Sequence, residues 1–219
     1  MKNILQKFTI NPSVKVKAKG EDGLAEDVWE LCDIINFIPQ KIVHVGAAGC
    51  HTEPTFLNAI KNSYVILFEP KIEFYNELIE AFSDKKNVSI FNIGIYNKIG
   101  KFKFYNKWAT TCLEECIKIP DLLSEKDSFD ENDTFFANCA LFSGFDDGRI
   151  DFLAIDTNGA EWYCLEKVIS RPAIICIETH YTYRNYRNPF INQIYRWMYD
   201  NHYVKYAINE SDTVFLRIK

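Results

Sequence analysis

Apolar runs of strand length, each closed by a turn and separated by helix-patterned segments, constrain this chain more than any other feature. "KIVHVG" (41–46), "YVILFEP" (64–70), "IDFLAID" (150–156) and "PAIICIETH" (172–180) are nearly continuous in apolar residues, as strands covered on both faces require. "NVSIFNIGI" (87–95) reads as one further strand. A helix is predicted from about Glu53 to Lys61, another over "IEFYNELIEAFSD" and a third over "AEWYCLEKVI". Upstream, Leu24, Val28, Leu31, Ile34 and Ile35 recur at helical spacing in a segment that Pro39 ends. This alternation argues for a doubly wound, mostly parallel sheet in an α/β sandwich. The closing "YVKYAINESDTVFLRIK" reads as two strands around a short polar turn, adding an antiparallel strand.

The remaining segments are less regular. Residues 1–20 are polar with basic patches and read as a surface strand or arm ending at Gly20. Residues 1–40 are therefore an N-terminal arm and helix packed on a main domain, 41–219, within a single domain overall. "IGIYNKIGKFKFY" alternates around a turn and predicts a hairpin near one sheet edge. Residues 107–148 carry helical fragments and a loop around "SGFDDG". Acids between Glu125 and Asp133 read as a solvated surface segment.

Composition excludes several classes. The 219 residues carry a net charge of −5, so bulk attraction to nucleic acid or an anionic membrane is not expected. No apolar run reaches the length of a membrane span. Seven cysteines follow no disulfide spacing and no secretory leader pattern opens the chain, so a reduced, cytoplasmic setting is expected. Cys112 and Cys116 lack a second pair with zinc spacing and read as buried helix-face thiols.

In an open parallel sheet, ligands sit beyond the carboxyl ends of the strands, near the switch in strand order. That rule nominates His44 to His51, Glu69-Pro70, Asn92 to Gly94, Asp156 to Glu161, and Glu178 to His180. Glu69 lies 23 residues after Gly46, where an acid can grip the ribose hydroxyls of an adenosine cofactor. Taken alone, it could equally cap a helix start. The turn Gly46-Ala47-Ala48-Gly49-Cys50-His51 lacks the later glycines that let backbone approach a pyrophosphate. An adenosine cofactor without phosphate, such as S-adenosylmethionine, tolerates that turn better.

The pieces "IVHVGAAG", "YVILFEPKIEFYNEL", "NVSIFNIGIYNKIGKFKFY", "IDFLAIDTNGAEWYCLE" and "PAIICIETH" together resemble the FkbM family of S-adenosylmethionine-dependent methyltransferases. The resemblance runs from about Lys41 to His180. It implies a Rossmann-like class I methyltransferase sandwich, a seven-stranded, mostly parallel sheet with an antiparallel C-terminal strand. It further implies a cofactor site at Gly46, Ala47 and Glu69, with His44, Thr52 and Pro70 in the same turns. Asn92 and Ile93 would flank the adenine, and Asp156 would face the reacting methyl. The chain departs from the family pattern at His44, Ala48, Cys50 and Asn158. These departures open a second reading, a non-catalytic binding or scaffolding module on the same fold. A nucleotide-sugar or dinucleotide enzyme is a third, opposed by the missing glycines.

Methyl transfer to oxygen needs alignment of the partners and a base for the hydroxyl proton, or a divalent metal that acidifies it. Asp156, Glu178 and His180 are the candidates, with His180 or Asp156 as base and Glu178 orienting substrate. Asp156 and Asn158 with Glu178 could also hold a metal through oxygen ligands. Glu161 reads as a helix-start acid placed for the dipole. In "ETHYTYRNYRNPF", Tyr181, Tyr183 and Tyr186 lie next to Arg184 and Arg187, a set suited to a sugar. Expected partners are a small-molecule or glycan acceptor, and a glycosyltransferase or a second copy of the chain. Phe190, Ile194, Trp197 and Met198 lie at helical spacing and read as core.

Overall fold

The computed structural model describes residues 15–16, 31–32, 34–52, 56–57, 60–106, 111–117, 130, 132–181, 186–208 and 211–218. In chain order the strands are β1 (Lys15–Val16), β2 (Lys41–Val45), β3 (Tyr64–Phe68), β4 (Val88–Phe91), β5 (Gly94–Ile95), β6 (Gly100–Tyr105) and β7 (Cys112–Leu113). They continue with β8 (Thr134–Ala140), β9 (Phe152–Ile155), β10 (Ile174–Glu178), β11 (His180–Tyr181), β12 (Tyr186–Arg187), β13 (Tyr203–Ile208) and β14 (Asp212–Arg217).

The main sheet runs β1-β13-β14-β10-β9-β2-β3-β4. The chain steps outward from β2 to β4, then returns to lay β9 against the other side of β2. That reversal makes the β2/β9 junction the switch point where such sheets open a crevice. Within this sheet β14 alone is antiparallel, paired with both β10 and β13. β1 extends the sheet by a parallel pairing with β13, so the expected seven strands become eight.

Both faces are covered, as the apolar runs require. Ile42, Val65 and Leu67 pack on one side against Leu31, Ile35, Leu78 and Phe82. Val43, Val45, Phe68, Leu153 and Ile155 pack on the other, against Ile194, Met198 and Phe215. Helix Ile72–Ala81 buries Phe74 and Leu78 one turn apart. Helix Ile191–Asp200 buries Ile191, Ile194 and Met198 and leaves Tyr199 81% exposed, the amphipathic pattern of a helix lying on a sheet. No helix among the described residues is long and apolar enough to cross a membrane.

Three expectations are corrected. "NVSIFNIGI" is not one strand: it breaks at Asn92-Ile93, and β5 leaves for a second sheet of order β5-β8-β6-β7. The expected hairpin does not form either, because β8 lies between β5 and β6, parallel to one and antiparallel to the other. β8 is apolar at five of its seven residues yet buries only Ala137 and Cys139 and leaves Phe136 61% exposed, so its apolar pattern does not mark which face it hides. Cys112 is buried as read, but on strand β7, whereas Cys116 sits on helix Glu114–Ile117. Of the expected helix from Glu53 to Lys61, Phe56 and Leu57 are α-helical and the 3-10 turn Ile60–Asn62 overlaps its end; residues 53–55 and 58–59 lie outside the described residues. In the upstream segment Leu31 and Ile35 are buried, whereas Ile34 is 47% exposed; Leu24 and Val28 lie outside the described residues.

Candidate active site

Sheet register brings the nominated residues together. Val45 aligns with Phe68 on one side and Ile155 on the other, and Ile155 aligns with Ile177. The next residues, Gly46, Glu69, Asp156 and Glu178, therefore end four adjacent strands in one row. Pairing continues one residue past the strands: Gly46 N donates to Phe68 O at 3.0 Å and Asp156 N to Val45 O at 2.9 Å. Gly46 adopts φ +81°, and a Cβ there would lie 1.6 Å from the Asp156 carbonyl oxygen. Glycine is required at this position by the close approach of two strand ends.

A pocket opens above this row. Glu69 and Asp156 both line it, with Val45, Phe68, Ile93 and Ile95 as apolar wall and Phe104 and Leu113 entering from the second sheet. None of the described lining residues is basic, so nothing there answers the charge of a phosphate. Glu69 is 3% exposed and its Oε1 accepts from the Lys71 N–H at 2.8 Å. Burial raises its pKa to about 7 against the pull of the backbone N–H groups of Lys71 and Ala48 and of the Lys71 charge.

Behind Asp156 lies a node of carboxyl groups. Glu161, wholly buried as the first residue of helix Glu161–Leu165, takes Thr157 N, Thr157 Oγ1 and Gly159 N on Oε1 at 2.9–3.0 Å. Its Oε2 accepts from Gly159 N at 3.1 Å and Asn188 Nδ2 at 2.5 Å. It thus reaches back to fold the loop after β9 and ties in the segment after β12. Asp156 stands where this loop opens to the pocket and is solvent-accessible, although protein surrounds it on its other sides. Confinement there, then the charges of Asp212, Glu161 and Glu69, hold its carboxyl well above the usual range, against the Asn158 N–H. The crowding of like charges acts on Asp156 even where solvent reaches it. Glu178 is buried, and burial, Asp156 and Glu161 push its carboxyl up likewise.

Other nominated residues occupy supporting places. His44 packs edge-on against Phe56 at 6.3 Å, and burial lowers its pKa to about 4, so it is a neutral packing group. Ala47 is fully buried, and Thr52 Oγ1 donates to Gly49 O at 2.8 Å. Asn92 Nδ2 donates to the carbonyls of Glu69 and Pro70 at 2.8 and 3.0 Å, fixing the turn that presents Glu69. These four do not line the pocket, whereas Gly46, Glu69, Pro70, Ile93, Asp156 and Asn158 do. Asn158 adopts φ +51° and donates to Thr111 O at 3.2 Å; asparagine tolerates that left-handed conformation better than most side chains. His180 and Tyr181 form β11, paired with β12, directly after Glu178. Their side chains, and Tyr183 and Arg184 entirely, lie outside the described residues. The sequence reading missed the organising role of Glu161 and Asn188; the only signal was an acid at a helix start.

A parallel sheet with this reversal, an antiparallel β14 and a pocket at the β2/β9 junction defines a class I methyltransferase fold. A family model, the methyltransferase FkbM domain, matches residues 44–205, and the chain belongs to that family. Two solved structures share the fold. A protein assigned as an RNA methyltransferase from Pyrococcus horikoshii aligns at TM-score 0.50 and 12% identity over 94% of each chain. One assigned as a caffeoyl-CoA O-methyltransferase from Staphylococcus aureus aligns at 0.51 and 10%, over 91% of this chain and 85% of that one. No match arises among curated protein sequences.

Proposed function

We propose that this protein is an S-adenosylmethionine-dependent O-methyltransferase acting on a hydroxyl of a sugar, a glycan or a small metabolite. The observation that carries the reading is the pocket itself, with Glu69 at one strand end, Asp156 at the next but one, and no basic lining group. Apolar wall, a buried carboxyl and a crowd of negative charge suit a flat base, two ribose hydroxyls and a sulfonium. S-adenosylmethionine, when bound, supplies an electrophilic methyl group. Glu69 takes the ribose hydroxyls, while Val45, Ile93 and Ile95 shield the base from water. Asp156 faces the acceptor, where a carboxyl held above its usual range is a stronger base for a hydroxyl proton. Glu178, at the end of β10, orients the acceptor.

Calorimetric titration with S-adenosylmethionine and S-adenosylhomocysteine tests this on the wild type, Glu69→Gln and Glu69→Ala. Micromolar binding that Glu69→Ala abolishes is the expected result. No binding at millimolar ligand overturns the proposal and leaves the non-catalytic binding or scaffolding module.

A further inference from the structure

Asn158 stands at the apex of a loop that is held from behind. Its neighbours Thr157 and Gly159 both donate backbone N–H groups to Glu161 Oε1, at 2.9 and 3.0 Å. With both flanks pinned, Asn158 takes φ +51° and lines the pocket together with Asp156.

Two bonds leave this residue in different directions. Its backbone N–H donates to the Asp156 carboxyl. Its side-chain Nδ2 donates to the carbonyl oxygen of Thr111 at 3.2 Å, across 47 residues of sequence. Thr111 lies just before β7, the edge strand of the second sheet, where Leu113 pairs with Phe104 of β6. Phe104, Thr111 and Leu113 all line the pocket, and Phe104 and Leu113 pack with Ala160. This wall is therefore joined to the Asp156 loop by an apolar contact at Ala160 and a polar bond at Asn158. Thr111 offers a carbonyl, so position 158 must supply a donor as well as tolerate left-handed backbone, and asparagine does both.

We propose that Asn158 is a positioning residue that clamps the β7 wall onto the Asp156 loop, so that closure of the pocket and placement of the Asp156 carboxyl are set together. The inference rests on the methyltransferase reading only for the identity of the pocket's occupant. The clamp itself is measured without ligand, so its failure is distinct from the failure of that reading.

The test compares the wild type with Asn158→Gly and Asn158→Asp. Glycine accepts left-handed backbone and keeps the N–H to Asp156 while removing the amide; aspartate keeps the shape and exchanges the donor for an acceptor. Hydrogen–deuterium exchange of ligand-free protein, read by mass spectrometry, follows the peptide covering residues 111–117. Exchange there about fivefold faster in both variants, the worth of one hydrogen bond, with β3 and β10 protected as in the wild type, is expected. Titration calorimetry with S-adenosylhomocysteine should show binding weakened by a similar factor. Wild-type exchange at 111–117 in either variant overturns the proposal. So does a rise shared by β3 and β10, which would mean general loosening. Equal affinity of all three proteins for S-adenosylhomocysteine overturns it too. If the wild type binds none, the methyltransferase reading falls and exchange alone decides the clamp.

Discussion

Gly46 and Gly49 form a controlled pair. Both adopt left-handed backbone, at φ +81° and +77°, but a Cβ on Gly46 would meet the Asp156 carbonyl oxygen at 1.6 Å, whereas one on Gly49 meets nothing within 4 Å. Gly49→Ala therefore carries conformational strain alone, about 1–2 kcal/mol, reduced somewhat by the lower entropy of its unfolded chain. Gly46→Ala adds a clash with backbone that cannot give way locally. Moving either strand end breaks the bonds from Asp156 N to Val45 O and from Gly46 N to Phe68 O, roughly 1 kcal/mol each. The expected loss is about 4 kcal/mol, close to the whole stability of a marginal domain. Urea denaturation followed by tryptophan fluorescence and circular dichroism gives both values from the midpoints. Equal losses for the two substitutions would refute the reasoning, because they would mean that the strand ends separate freely. Gly46→Ala should also abolish cofactor binding, since it displaces Asp156.

Glu69 and Glu161 give opposite tests of a buried carboxyl. Because its folded pKa is raised from 4.5 to about 7, Glu69 contributes stability that is present below about pH 4.5 and lost as pH rises through 7. The loss is roughly 3 kcal/mol. Glu69→Gln should flatten that slope relative to the wild type in a series of urea midpoints, and parallel pH profiles would count against the assignment. Glu161→Ala strands buried donors on Thr157, Gly159 and Asn188, at a cost of about 3–5 kcal/mol, or roughly 10 °C in Tm. Glu161→Gln, which keeps one acceptor oxygen, should cost less; the reverse order in a thermal melt would remove Glu161 from the centre of the node.

The chain's own residues determined the central strands β2, β3, β9 and β10, that the sheet is covered on both faces, and which residues end those strands. Those properties are local: an apolar run such as "YVILF" must be hidden whatever it pairs with. Gly46, Glu69, Asp156 and Glu178 were legible for the same reason, each being the first residue past such a run. Tertiary structure alone decided partners and distances. β8 separates β5 from β6 because strand pairing is settled between segments far apart in sequence, and alternation reports only which face is buried. Asn92 came to hold the Glu69 turn, and Glu161 the loop after β9, through hydrogen bonds to backbone that no side-chain pattern encodes. The spacing of Asp156 from Glu178 follows from parallel register, which brings residues 22 positions apart to adjacent strand ends, where like charges must be answered by protons or by a cation.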